Sequence, residues 1–104
     1  MAPAGRSKKK GAWVRTTVVI QNELGLHVRP AALFVRLANK FRSEVILRKG
    51  RERVNGKSIT GVLLLGCEKG SEVEVTAIGQ DAERAVKELS ELLSQDLAAM
   101  ERTS

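Results

Sequence analysis

Asn22-Glu23-Leu24-Gly25-Leu26-His27-Val28-Arg29-Pro30-Ala31 joins two stretches of different hydrophobic period, and the change of period here decides the fold. Upstream, residues 13–21 place Val14, Thr16, Val18 and Ile20 at alternate positions, the period of a strand with one buried face. Downstream, Ala31, Phe34, Val35, Ala38 and Phe41 recur at helical spacing, with Arg36 and Lys40 on the polar side. Pro30 suits a first helical turn, where its missing N–H has no intrahelical partner and its fixed φ is already helical. The helix should therefore begin beside His27, with Gly25 in the loop that leads to it.

Further along, residues 44–48 form a short β-rich run with Val45 and Leu47 on one side. Lys49-Gly50 marks a turn, and 51–54 can return as its hairpin partner. Asn55-Gly56 breaks that strand. Ser58 is then placed to cap a short helix over 59–65, which Gly66 ends. After a Lys69-Gly70 turn, residues 72–78 set Val73, Val75 and Ala77 against Glu72, Glu74 and Thr76. A last helix should start near Asp81, carry Ala85, Val86, Leu89, Leu92 and Leu93 on one stripe, and run to about Met100. The order β-α-β-β-α-β-α predicts an α+β open-faced sandwich. Its sheet has four mostly antiparallel strands, with three helices on one face.

A chain of 104 residues has room for one core. Its 42% apolar and 29% charged content is that of a globular protein rather than a disordered one. No apolar run approaches the ~20 residues that span a bilayer, and no apolar segment of signal-peptide length follows the basic start. One cysteine, Cys67, leaves no internal disulfide and suits a reducing cytoplasm. One cysteine excludes the multi-cysteine zinc patterns, and one histidine leaves no expectation of a histidine-based metal site. Arg6, Lys8, Lys9 and Lys10 supply four of the six surplus positive charges. Residues 1–12 accordingly read as a flexible basic extension, and 13–104 as the folded domain, close to neutral. Only Trp13, Phe34 and Phe41 are aromatic, and the last two lie on the core side of the first helix. That leaves no stacking platform for nucleic acid.

The chemistry concentrates at the loop–helix junction. N–H groups of a first helical turn and the helix dipole together favour an anion. Arg29, two residues beyond His27, adds a planar cation that matches phosphate oxygens. A histidine ring nitrogen can attack phosphorus, and the same positive field steadies the charge of the product. By position alone, a histidine here is more often a surface residue or a cap, and an arginine more often a solvated helix residue.

The wider pattern goes further. Gly25-Leu26-His27-Val28-Arg29-Pro30-Ala31 and, at a matching separation, Asn55-Gly56-Lys57-Ser58-Ile59-Thr60-Gly61-Val62 resemble the two motifs of the HPr family. These are the histidine-containing phosphocarriers of the bacterial phosphoenolpyruvate-dependent phosphotransferase system. The likeness covers about residues 14–94. It implies that His27 is phosphorylated on the ring nitrogen nearer the backbone and that Arg29 pairs with the phosphoryl oxygens. It also implies that Ser58 is the regulatory serine modified in some bacteria by HPr kinase/phosphorylase. Ala32, Ile59, Thr60 and Leu63 would form a docking patch for enzyme I, the donor, and for enzyme IIA domains, the acceptors. The implied protein is a cytoplasmic monomer that carries phosphate for sugar uptake and is a substrate of enzymes rather than one itself. A nitrogen-type regulatory carrier and a non-carrier HPr-like regulator are the alternatives. Val28 stands where the family usually has alanine, Thr60 where it usually has a larger apolar residue, and the N-terminal extension has no counterpart.

Overall fold

Alternating burial builds the sheet. The computed structural model describes residues 5–6 and 12–95. Strand β1 is Gly5–Arg6 and β2 is Trp13–Val19, which turns Val14 and Val18 inward. β3 (Glu44–Lys49) buries Val45 and Leu47, and β4 (Glu52–Asn55) follows it across a tight turn. β5 (Glu72–Ile78) buries Val73, Val75 and Ala77. Spatially the order is β1-β2-β5-β3-β4, with every neighbouring pair antiparallel. Three helices, α1 (Val28–Ala38), α2 (Ile59–Leu65) and α3 (Ala82–Leu93), cover one face. Phe34, Val62 and Leu89 meet the inward strand residues in one continuous core. The α+β open-faced sandwich expected from the order of elements is the fold observed.

Four strands are those expected. The fifth, β1, lies within the segment expected to be a flexible extension, and sets Gly5 opposite Arg15 and Arg6 opposite Val14. It occupies the outer edge of β2, where unpaired backbone N–H and C=O groups invite one more strand. Residues 1–4 and 7–11 lie outside the described residues. The return strand runs Glu52–Asn55, one residue later than the expected 51–54.

Two helix ends also differ. α1 stops at Ala38 rather than reaching Phe41, because the Asn39 side chain caps it: Nδ2 donates to Val35 O at 2.8 Å and to Lys57 O at 3.2 Å. Phe41 stays buried in the core beyond the helix end. α3 ends at Leu93, and residues 96–100 of its expected continuation lie outside the described residues.

Asp81 precedes α3, but its side chain makes no cap hydrogen bond. It accepts instead from Arg42 N at 2.9 Å, from Ser43 N at 3.0 Å and from the Ser43 hydroxyl. These bonds, the Ser43 hydroxyl first and the Arg42 amide next, hold the carboxyl down to a pKa of about 2. Asp81 thus ties the link between α1 and β3 to the start of α3. Ser43 is buried, so its polar groups need this partner.

Candidate functional site

The loop before α1 is fixed from below. Gly25 has a φ of +71°, and a Cβ there would lie 2.3 Å from Cys67 O, so only glycine fits both the turn and the contact. Gly25 N donates to Asn22 O at 2.9 Å, and Leu26 N donates to Cys67 O at 2.8 Å. Leu26 is buried, and Ile20 exchanges backbone bonds with Ser71 and Gly70. The α2–β5 connection is therefore the seat on which the His27 loop rests. Burial there pushes the Cys67 thiol above its ordinary pKa, toward the neutral form.

His27 is the N-cap of α1, with an extended backbone (φ −78°, ψ −172°). Its side chain is exposed and makes no cap hydrogen bond. Its carbonyl already accepts from Ala31 N at 3.0 Å, the first i→i−4 bond of the helix. Pro30 has no N–H, so Val28 and Arg29 carry the first-turn amides, and no acid lies in that turn to compete with an incoming anion. Arg29 is exposed and lines the same shallow cleft as His27, about 620 Å³ in volume, together with Val28, Ala32, Leu33 and Arg36. The structure thus brings His27, Arg29 and Ala32 together around one surface cleft. Such a site can receive an anion at its open side and hold it beside a ring nitrogen.

Ser58 lies elsewhere, as the N-cap of α2, and the two helices pack against each other. Its hydroxyl accepts from Gly61 N at 3.1 Å, the bond expected of a serine cap. The approach to it is braced: Lys57 N donates to Asn55 Oδ1 at 2.9 Å, and Lys57 Nζ reaches Phe41 O at 2.7 Å. Ile59, Thr60 and Leu63 are exposed on α2, outside the His27 cleft. Sequence reasoning passed over Leu24 (77% exposed), Leu64 (78%) and Leu33, which are also exposed apolar side chains. Leu64 follows Leu63 and precedes the inward Leu65, so helical phasing within α2 held the signal for it. Leu24 has none, because a loop has no period. Among the described residues no His, Cys, Asp and Glu group could hold a metal ion, and no helix is long and apolar enough to cross a membrane.

Residues 14–95 match the family model for the PTS HPr component phosphorylation site. The HPr-like protein Crh of Bacillus subtilis is 39% identical over 84 residues, covering 81% of this chain and 99% of that one. Phosphocarrier protein HPr of Neisseria meningitidis is 38% identical over 81 residues, covering 78% of this chain and 91% of its own. The crystal structure of phosphocarrier protein HPr from Bacillus anthracis superposes with a TM-score of 0.76 at 38% identity, over 78% of this chain and 96% of that one. Fold, motif and the matched length agree, and the chain belongs to the HPr family of phosphotransferase-system phosphocarriers.

Proposed function

We propose that the chain accepts a phosphoryl group on His27 from the phosphohistidine of enzyme I and passes it to an enzyme IIA domain in cytoplasmic sugar uptake, acting as a monomer. The observation that carries the reading is the N-cap imidazole itself, which is exposed and makes no cap hydrogen bond. In the forward step the His27 ring nitrogen nearer the backbone attacks phosphorus, the N–P bond of the donor histidine breaks, and the donor imidazole leaves with that electron pair. Discharge repeats the exchange, with the acceptor histidine attacking. Charge on the phosphoryl oxygens falls beside the first-turn N–H groups and the Arg29 guanidinium, which lower the barrier by preorganised electrostatics. No metal and no cofactor enter either step.

Ala32, Ile59, Thr60 and Leu63 serve as the docking patch in this reading, and Ser58 as the regulatory phosphorylation site, addressed by an HPr kinase/phosphorylase where the cell has one. The likeness to Crh makes an HPr-like regulator the second reading, and an exposed histidine at the start of α1 favours the carrier over it. A discharge experiment separates the two. Chain charged through enzyme I and phosphoenolpyruvate should lose its label to an added enzyme IIA domain. A chain that keeps its phosphate in the presence of sugar-type IIA domains is not a carrier to them.

A further inference from the structure

The sheet face turned away from the helices has no part in that reading. Register arranges it in rows: Arg53, Arg48 and Glu74 lie side by side, then Asn55, Ile46, Thr76 and Arg15, then Glu44, Ile78 and Trp13. The face carries an open hollow of about 700 Å³ whose lining includes four arginines and a single acid, Glu74. None of its lining residues belongs to the His27 cleft.

Its charges are unevenly matched. Arg48 and Arg53 face each other across the β3–β4 hairpin, a like-charge pair that destabilises an antiparallel ladder. Glu74 pairs with two of the arginines: it accepts from Arg48 Nε at 3.0 Å and Nη2 at 3.1 Å, and lies 3.6 Å from Arg15 Nε. Among the described residues Arg51 and Arg53 have no carboxylate within ion-pair distance. Ile46 in the middle row, and Ile78 and Trp13 in the last, are half-buried and apolar. The Arg15 guanidinium lies 5.2 Å from the centroid of the Trp13 ring. Rows two residues apart are about 7 Å from each other, so the arginine row and the Trp13 row are roughly 14 Å apart.

We propose that this hollow binds a nucleoside di- or triphosphate, with the phosphates against Arg48, Arg51 and Arg53 and the base stacked at the Arg15–Trp13 end. Guanidinium forks suit phosphate oxygens, and the Arg15 plane extends a ring stack to a planar base. The separation of a cationic end from an apolar one by roughly 14 Å selects a ligand with a polyanion at one end and a ring at the other. Inorganic phosphate leaves the apolar end empty, and an acidic peptide sets charge along its whole length.

Trp13 is the chain's one tryptophan, so its fluorescence reports the site without a label. Titration with ATP and GTP at physiological salt, repeated by calorimetry, should give one saturable site with a submillimolar Kd. Pyrophosphate alone and adenosine alone should each bind at least about tenfold more weakly. The double variant Arg51→Ala/Arg53→Ala should lose at least about tenfold in affinity while keeping its melting temperature. His27→Ala should bind as the parent does, which keeps this test independent of the carrier reading. The proposal is overturned by no saturable binding below about 1 mM, by an unchanged Kd in the double variant, or by pyrophosphate binding as tightly as ATP. Tighter binding of poly-glutamate or of phosphatidylglycerol vesicles than of ATP would overturn it equally, in favour of an acidic protein or a membrane.

Discussion

His27 and Ser58 hold the same position on two neighbouring helices, yet they use it in opposite ways. Each is an N-cap with an extended backbone, and each lends its carbonyl to the first helical hydrogen bond. Ser58 turns its side chain back onto the helix, to Gly61 N, and is half-buried. His27 turns its side chain outward, and that side chain makes no hydrogen bond to the helix. A cap that satisfies its own helix is structure first. A cap that leaves the first turn to an incoming anion is stabilised only when that anion arrives. Asp81 is a third case, since its carboxylate leaves α3 altogether and secures a loop 38 residues away.

The comparison orders the stability effects. Asp81→Ala should cost most, about 2 kcal/mol, because the buried Ser43 hydroxyl and amide lose their acceptor. The cost should also depend on pH. A carboxyl held at about 2 in the fold and near 3.8 when unfolded adds stability that is fully present above pH 4 and fades as pH falls through about 2. Parent and Asp81→Asn melting temperatures should therefore converge between pH 4 and 2. A constant gap across that window would remove Asp81 from its role as the charged tie.

Ser58 comes next. Ser58→Ala should lose about 1 kcal/mol as a missing cap and still accept phosphate on His27. Ser58→Asp should keep its melting temperature, since a carboxylate at a helix start is favoured there. Its charge adjoins exposed Ile59 and Thr60 and must be desolvated or face acidic groups on docking, so transfer from enzyme I should slow about tenfold or more. Equal transfer rates in parent and Ser58→Asp would leave Ser58 as a helix cap and nothing more.

Much of this was legible because it is local. Ser58 and Gly66 bound α2 at the residues the caps indicate, and β5 runs over the alternating segment as read. The start of α1 followed from Pro30 and from the change of period. What escaped depends on distant partners. Asp81 looks like a cap until Ser43 is brought beside it by tertiary packing. Phe41 continues the apolar spacing of α1, yet Asn39 ends the helix with a bond to Lys57, 18 residues on. The pairing of Gly5–Arg6 rests on backbone groups at the edge of β2, which carry no side-chain pattern. On the sheet, alternation separates the two faces but carries no sign of which outward residues stand opposite one another. The hairpin turn at Lys49-Gly50 sets Arg48 opposite Arg53, a pairing that burial does not signal.

The smallest effect on stability is expected at the proposed phosphoryl acceptor. His27→Ala should melt within about 0.5 kcal/mol of the parent, since an exposed side chain without a cap bond leaves nothing unsatisfied. The direct test of the central claim is intact mass after incubation with enzyme I and phosphoenolpyruvate, for parent, Ser58→Ala and His27→Ala side by side. The expected pattern is one acid-labile phosphoryl group on the parent and on Ser58→Ala, and none on His27→Ala at an unchanged melting temperature. An acid-labile phosphate on a folded His27→Ala chain would contradict it.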